Sequence, residues 1–146
     1  MTPSPSSVST ALALRLVVAG GATMPVRAVL RYDIADPYAV QASFHTGSGA
    51  EADIVEWTFA RQLLTDGVGG ATGEGDVRVW PSSHAGEPVA FLSLSSPSGR
   101  AVFEVPLPDL EAFLVMSCEV VPTGAESNFV DVQAELALLI WARPET

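Results

Sequence analysis

The chain has 146 residues, of which 48% are hydrophobic and 16% are charged. This balance predicts one globular domain with a single core, because the chain is too short for two. Its formal net charge is −10, and all seven basic residues are arginine. Since nucleic-acid affinity comes largely from neutralising phosphates, this charge argues against a nucleic-acid-binding protein unless a local arginine cluster reverses it. The single Cys118 excludes an internal disulfide and fits a reducing compartment.

The apolar stretch ALALRLVVAGGA near the start has the length of a secretion signal. It follows MTPSPSSVST, which has no basic residue, and it is interrupted by Arg15. Nowhere does the sequence approach the ~20 consecutive apolar residues that a membrane helix needs. We therefore expect a cytoplasmic protein without membrane insertion, in which residues 1–7 form a flexible tail and residues 8–146 a single domain.

Alternation of apolar and polar residues predicts three strands in the first third of the chain, over residues 8–19, 26–32 and 38–46. The first two form a hairpin around GGATMP. The second and third are joined by the centre of LRYDIADPYAV. Its Asp33 and Asp36 can hydrogen-bond their own downstream backbone, and Pro37 keeps the preceding residue out of the helical conformation. This segment therefore predicts a turn.

The middle of the chain continues with strands. A fourth strand over residues 53–60 should turn Val55, Trp57 and Phe59 toward the core. A short helix and a glycine-rich loop follow it, and three further strands complete the set. These elements are predicted over residues 60–67, 67–75, 76–82, 88–96 and 100–106.

Helical spacing replaces strand alternation in the last third. Apolar residues predict a helix from Pro108 that Pro122 ends, and a second C-terminal helix that Asn128 caps. About seven strands and two C-terminal helices describe an α+β domain, in which helices cover an antiparallel sheet or barrel.

The segments that could form catalytic or metal-binding motifs lack the arrangement of residues and elements that such motifs require. The glycine-rich loop lies between a helix and a strand, whereas a nucleotide-binding loop follows a strand and opens a helix, and a Walker loop needs a lysine. The possible metal ligands His45, His84 and Cys118 lie on different predicted elements. The serines of SLSSPSGR lack the G-x-S-x-G elbow, although a Ser–His–Asp site assembled from distant positions stays open. We expect no enzyme, no metal site and no cofactor.

A cluster of arginines is the most specific surface feature. We place Val18 opposite Val26 in the first hairpin. In that register Arg15 falls between Arg27 and Arg31 on one face. Such a patch could bind an acidic partner or a nucleic-acid backbone, because arginine binds carboxylate and phosphate bidentately. The favoured interpretation is a solvated face on which nearby acids satisfy the arginines.

The three tryptophans have different predicted environments. Trp57 should lie in the core. Trp80 shares a strand face with Asp76 and Arg78, so it could be exposed, and Trp141 ends the last helical stripe. Exposed tryptophans would suit a protein interface, but burial in the core or between subunits is favoured.

Several long segments, taken together, resemble the SsgA-like sporulation and cell-division proteins of filamentous actinobacteria. They are LRLVV, LRYDIADPYAVQASFHTG, VEWTFARQLLTDG, TGEGDVRVWPS and LSLSSPSGRAVFEVP, with FLVMSCEVVPTGAE and FVDVQAEL matching more loosely. The resemblance implies a barrel-like core of strands with helices, similar to the whirly single-stranded nucleic-acid-binding fold and often assembled as a homo-oligomer, with a trimer favoured. It also implies a family signature, interpreted here as mainly architectural: Arg31, Asp33, Asp36, Pro37, Tyr38, Asp76, Arg78 and Trp80.

The resemblance further implies a function. Proteins of this kind act in the cytoplasm without catalytic activity and help to localise the division machinery, including the tubulin-like FtsZ, at sporulation septa. The expected partners are therefore division proteins, FtsZ or its recruiters, and a homo-oligomer would bind them with avidity. The alternative is a single-stranded nucleic-acid-binding module, which fold analogy suggests and the acidic charge opposes.

Overall fold

An eight-stranded antiparallel sheet forms most of the structure, a computed structural model that describes residues 6–46 and 53–129. The strand order across the sheet is β4-β3-β2-β1-β8-β7-β6-β5. Two four-stranded meanders are thus joined where β1 pairs with β8, and the sheet curves into a half-barrel. The strands are β1 (Ser7–Val17), β2 (Thr23–Asp33), β3 (Ala39–Thr46), β4 (Asp53–Ala60), β5 (Thr72–Glu74), β6 (Val77–His84), β7 (Glu87–Ser96) and β8 (Gly99–Pro106).

Two α-helices pack on the inner face of this sheet. Helix α1 (Arg61–Gly69) connects β4 to β5 and contacts β4, β5 and β6, whereas α2 (Leu107–Val120) follows β8 and contacts mainly β1 and β7. Short 3-10 turns lie at Ala19–Gly21 and Glu126–Phe129. Within the described residues, the outer face of the sheet has no covering layer, and polar side chains project from it.

The core lies between the helices and the inner face, because apolar residues alternate along the strands. Phe44 of β3 stacks on Phe103 of β8 with ring centroids 4.6 Å apart. Leu110, Phe113 and Leu114 of α2 join the same cluster of buried side chains at helical spacing. The predicted α+β class with an antiparallel sheet is therefore confirmed.

The glycine-rich segment was predicted to be one loop, but the structure shows the end of a helix and a short strand there. Residues up to Gly69 belong to α1, and Thr72–Glu74 forms the short strand β5, which pairs with β6. Three residues are too few to show an alternating pattern, so the sequence predicted seven strands instead of eight. Inside α1, a Cβ on Gly67 would overlap the side chain of Val79, which explains why a glycine lies at that position.

The first hairpin has a different register from the one expected. Leu14, not Val18, lies opposite Val26. The connection is shorter than predicted and is centred two residues earlier, because Gly20 and Gly21 adopt positive φ angles of 82° and 80°. Since the shift is an even number of residues, every side chain stays on its predicted face.

Two further expectations concern the edge of the sheet and the end of the chain. Val55 points to the inner side but is 44% exposed, because β4 is the outermost strand of its meander. Trp57, also on β4, is half-buried and packs against the core as predicted. Asn128 lies in the 3-10 turn, and the predicted second C-terminal helix and Trp141 fall outside the described residues.

Candidate docking surfaces

The segment between β2 and β3 is built by turn hydrogen bonds. The Asp33 carboxylate accepts a hydrogen bond of 2.8 Å from the Ala35 amide. The Asp36 amide donates to the Asp33 carbonyl, and the Asp36 carbonyl accepts from Ala39. The side chain of Arg31 lies 3.7 Å from that of Asp33 on the surface. The prediction of a turn is confirmed, and the Asp33 carboxylate bonds the downstream backbone as expected, whereas Asp36 takes part through its own backbone groups.

Two hydrogen bonds fasten this turn to the interior. Pro37 is fully buried, and its carbonyl accepts a hydrogen bond of 2.7 Å from the hydroxyl of Tyr32. The carbonyl of Tyr38 accepts one of 2.8 Å from the amide of Arg61, the first residue of α1. The Tyr38 ring itself is 53% exposed, so it lies at the surface beside the turn. Burial raises the pKa of Tyr32 to about 12.

Arg61 is a buried cation that the sequence analysis missed. Its side chain is 2% exposed and reaches the C-terminal end of α2, where Nη1 donates hydrogen bonds of 2.6 Å to the Val121 carbonyl and 3.1 Å to the Ser117 carbonyl. Nη2 lies 3.1 Å from a carboxylate oxygen of Glu126. The guanidinium also lies 4.6 Å from the centre of the Tyr32 ring. One side chain thus joins α1, α2, β2 and the last 3-10 turn.

The electrostatics of this cluster are those of a helix cap. The last turn of α2 contains no basic residue, so Arg61 supplies the positive charge that the negative end of the helix favours. The pKa of Glu126 is lowered, first by a hydrogen bond from its own backbone amide and then by Arg61. In the sequence, the sign of this cluster was an arginine, Arg61, at the start of the short helix α1.

The structure separates Arg15 from the other two arginines of the predicted patch. Arg15, Arg27 and Arg31 do share the outer face and are exposed. However, Arg15 pairs with Pro25 on one side and with Glu104 of β8 on the other, so it does not fall between the other two. The hairpin register, centred two residues earlier than expected, causes this difference. Arg27 and Arg31 remain together on β2.

The histidines and the cysteine lie apart. His84 Nδ1 is 2.7 Å from one carboxylate oxygen of Glu104, a nearly buried residue. His45 is half-buried opposite Arg27, and the Cys118 sulfur lies 3.2 Å from the Thr123 hydroxyl. Among residues 6–46 and 53–129, no group of three or more His, Cys, Asp or Glu side chains is placed to hold a metal ion.

The second half of the predicted signature surrounds a cavity on the outer face. The backbone of Asp76 accepts a hydrogen bond of 2.9 Å from Ser95, and Trp80 is half-buried and stacks on Phe91 with centroids 5.5 Å apart. Arg78 is exposed beside them. The cavity has a volume of about 600 Å³, and its walls include Gly73, Arg78, Trp80, Ser93 and Arg100.

Comparison with known proteins gives this architecture a family. A sequence profile described as "Streptomyces sporulation and cell division protein, SsgA" matches residues 26–126, more than half of the chain. The chain belongs to the SsgA family. No enzymatic reaction is part of that description. No described helix is both long and apolar enough to cross a membrane.

Within the SsgA family, close relatives are called sporulation-specific cell division protein SsgB. The one from Frankia casuarinae is 54% identical over 145 residues, 99% of each chain. The one from Streptomyces coelicolor is 49% identical over 135 residues, 92% of this chain and 96% of its own. These matches extend over nearly the whole of each chain.

Solved structures of the family have the same fold. A Streptomyces coelicolor SsgB structure, studied for mutations that correlate with longitudinal cell division during sporulation, has a TM-score of 0.80 and 50% identity, covering 88% of this chain and 99% of its own. An SsgA-like sporulation-specific cell division protein from Thermobifida fusca has a TM-score of 0.81 and 44% identity, covering 94% and 98%. The half-barrel with its two helices is therefore the family fold.

Proposed function

We propose that this chain is a non-catalytic docking protein that localises the division machinery at sporulation septa, in part by recruiting FtsZ. The observation that carries this proposal is the 54% identity with an SsgB protein across 99% of both chains. The proposed location is the cytoplasm, at division septa.

The open outer face of the sheet supports a docking role. Both described α-helices pack on the inner side, and Arg27 and Arg31 project outward from β2, whose backbone is held by a neighbouring strand on each side. A rigid sheet loses little conformational entropy when a partner binds, which favours affinity. Arginine is also the cation best suited to bidentate contact with acidic partners.

A homo-oligomer, most simply a trimer, would multiply this contact. In the described sheet β4 is an outermost strand, and its Ile54 is 57% exposed. Exposed edge strands commonly pair with another chain unless they are protected. Several copies of one weak site can bind a repeating filament with avidity 10²–10⁴ above a single site, roughly, when their spacing matches the filament. Sedimentation equilibrium over a range of protein concentrations measures the number of subunits, and a monomer throughout would refute the oligomer.

Co-sedimentation with polymerising FtsZ tests the main proposal. The chain should pellet with the polymer, and the double variant Arg27→Gln/Arg31→Gln should bind at least about tenfold more weakly, since charge-assisted hydrogen bonds contribute about 1.5–3 kcal/mol each. Glu56→Gln, on the neighbouring part of the same face, controls for a simple surface substitution. Repeated absence of the chain from the pellet would refute FtsZ recruitment, and full binding by the double variant would refute this surface.

A second candidate is single-stranded nucleic-acid binding, which the exposed arginines and the half-buried Trp80 favour. Basic grooves with aromatic stacking platforms are typical of such proteins. The comparison with the whirly fold stays a prediction. Fluorescence anisotropy with labelled single-stranded DNA tests it: salt-sensitive micromolar binding that Arg27→Ala and Arg31→Ala abolish would support this function, and no binding at low salt would exclude it.

A further inference from the structure

Two arginines that have no acidic partner among the described residues lie at the far end of the outer face, away from Arg27 and Arg31. Arg78 of β6 and Arg100 of β8 both line the 600 Å³ cavity, which we call the arginine groove. Neither forms an ion pair with any residue in the described part of the chain. The protein has a net charge of −10, so two guanidiniums without a described acidic partner in one cavity are unusual. Their charge favours binding of an anionic ligand.

The walls of the arginine groove hold these side chains in place. The stem of Arg78 lies over Gly73 of β5, where a Cβ would approach the Arg78 Cγ to 2.9 Å. Trp80 stacks on Phe91 and forms part of the wall, and Ser93, which is 4% exposed, also lines the groove. A volume of 600 Å³ falls in the range of about 300–1,000 Å³ that is usual for ligand sites.

A second cavity shares one lining residue with the arginine groove and lies on the other side of the sheet. Arg100 lines both, and the second cavity, of about 320 Å³, is otherwise mostly apolar; we call it the apolar mouth. Its lining comes from the inner side of β1, β3 and β4 and from the β7–β8 hairpin, so Arg100, next to the turn of that hairpin, lies between the two cavities. Its apolar walls are Leu16, Phe44, Val55, Trp57, Leu94, Ala101 and Phe103.

We propose that the arginine groove and the apolar mouth together bind a peptide segment in which acidic residues adjoin a bulky apolar residue. Carboxylates of the peptide pair with Arg78 and Arg100, and the apolar side chain fills the mouth. Single-stranded nucleic acid fits less well, because it brings a phosphate with every nucleotide and no side chain that would desolvate an aliphatic and aromatic pocket. A short peptide with few charges is also repelled less by the acidic surface.

The contrast with Arg15 shows what distinguishes this site. Arg15 also lines a cavity, of about 330 Å³, but Glu87, Glu104 and Asp109 line it as well. That cavity already contains the carboxylates that an arginine would bind. Among the described residues that line the arginine groove, none is acidic.

Fluorescence anisotropy with a synthetic peptide tests the proposal. The probe is a fluorescein-labelled, amidated peptide of alternating Asp and Phe, titrated with the full chain. Arg78→Gln and Arg100→Gln should each weaken its binding by about tenfold, because each loses a charge-assisted hydrogen bond. Replacing Phe by Ala in the peptide should weaken binding by a similar factor through the apolar mouth. Both arginines are exposed, so circular dichroism should show that the variants remain folded.

Matched controls separate this site from general electrostatics. Arg15→Gln removes the same charge from an arginine whose cavity already contains carboxylates, so it should change the affinity by less than about threefold. Arg78→Lys keeps the charge but loses the planar fork, so its affinity should fall between those of the parent and Arg78→Gln. In NMR spectra the peptide should shift the indole resonance that Trp80→Phe removes.

Three results would overturn the proposal. The first is the absence of saturable peptide binding, and the second is an equal loss of affinity with Arg15→Gln. The third is tighter binding of oligo-thymidylate than of the peptide with loss in Arg78→Gln, which would make the groove a nucleic-acid site. Peptide binding needs no FtsZ, so failure of this test leaves the proposed role in recruitment intact, and the converse also holds.

Discussion

Replacing Arg61 with methionine tests whether one buried cation holds the helices against the turn. Methionine fills a similar volume but cannot donate to the carbonyls of Ser117 and Val121, which lie 3.1 and 2.6 Å from Nη1. It also leaves the Glu126 carboxylate beside an uncharged side chain. Removing one partner of a buried ion pair typically costs about 3–5 kcal/mol. We therefore expect the free energy of unfolding to fall by about 4 kcal/mol, a large share of the roughly 5–15 kcal/mol of a typical domain.

Urea denaturation followed by circular dichroism measures this loss. Urea is preferred to guanidinium because it does not screen charges. With a slope of about 2 kcal/mol per molar, a loss of about 4 kcal/mol moves the midpoint by about 2 M. The measurement needs several protein concentrations, since oligomerisation would raise the apparent stability. Gln62→Met is the matched control, because Gln62 is exposed in the next position of α1 and its hydrogen bond to Asp66 is a surface one.

The ion pair can be separated from the rest of the Arg61 contacts by a double-mutant cycle. Glu126→Gln removes the carboxylate while keeping its shape. In the Arg61→Met background this change should cost less than in the parent, because the orphaned charge is no longer present. A loss below about 1 kcal/mol for Arg61→Met, or strict additivity of the two changes, would refute the view that this cluster stabilises the fold.

Two further changes probe the packing and the ionisation of the core. Gly67→Ala should destabilise by about 1–3 kcal/mol in thermal or urea melts, because its Cβ overlaps Val79, whereas Gly69→Ala in the same helix meets open space and should be neutral; equal effects would refute the overlap. In Tyr38→Phe, where Tyr32 is the last tyrosine, the phenolate absorbance should appear only near pH 12. The stability that neutral Tyr32 adds is complete below the usual pKa of 10.0 and falls as the pH rises toward 12, and ionisation near 10 in the folded protein would contradict its burial.

Lowering the pH should weaken the ion pair between Glu126 and Arg61, whereas the contribution of Tyr32 is lost when the pH rises. Because the pKa of Glu126 is lower in the folded chain than its ordinary 4.5, its carboxylate adds stability that is complete above pH 4.5 and is lost as the pH falls through the lowered value. Glu126→Gln should therefore lose part of the parent's dependence of stability on pH in this acid range. Identical acid profiles for both proteins would show that Glu126 ionises alike in the folded and unfolded chains.

Local patterns were sufficient to predict most of the sheet. Alternation in residues 8–46 and 76–106 is a property of short windows, and it agrees with the burial of Leu14, Tyr32 and Phe44 in the structure. Turn chemistry around Asp33 also follows from adjacent residues, so it was predicted correctly. The register of the first hairpin was not, because an even shift leaves the buried pattern unchanged and only the positive φ angles of Gly20 and Gly21 decide between the alternatives.

Contacts between distant residues account for what was missed. The cation that caps α2 comes from residue 61, so no inspection of the last turn of that helix could reveal it. Likewise, Arg78 and Arg100 line one cavity only because β6, β7 and β8 lie side by side. Neither arrangement has a local sequence pattern, since each depends on strand order and not on spacing along the chain.

The signature residues can now be divided by the work that each performs in the fold. Pro37 lies inside the molecule, and the turn around it positions the amide of Arg61, so folding explains the presence of Pro37. Arg78 has no such role in the described residues: it is exposed, it pairs with no acid there, and a bare glycine lies beneath its stem. A charge that contributes nothing visible to stability, placed in a concavity beside a stacked tryptophan, is better explained by a partner than by the fold. Arg78, like Arg31, is therefore a signature residue at which recognition should be sought.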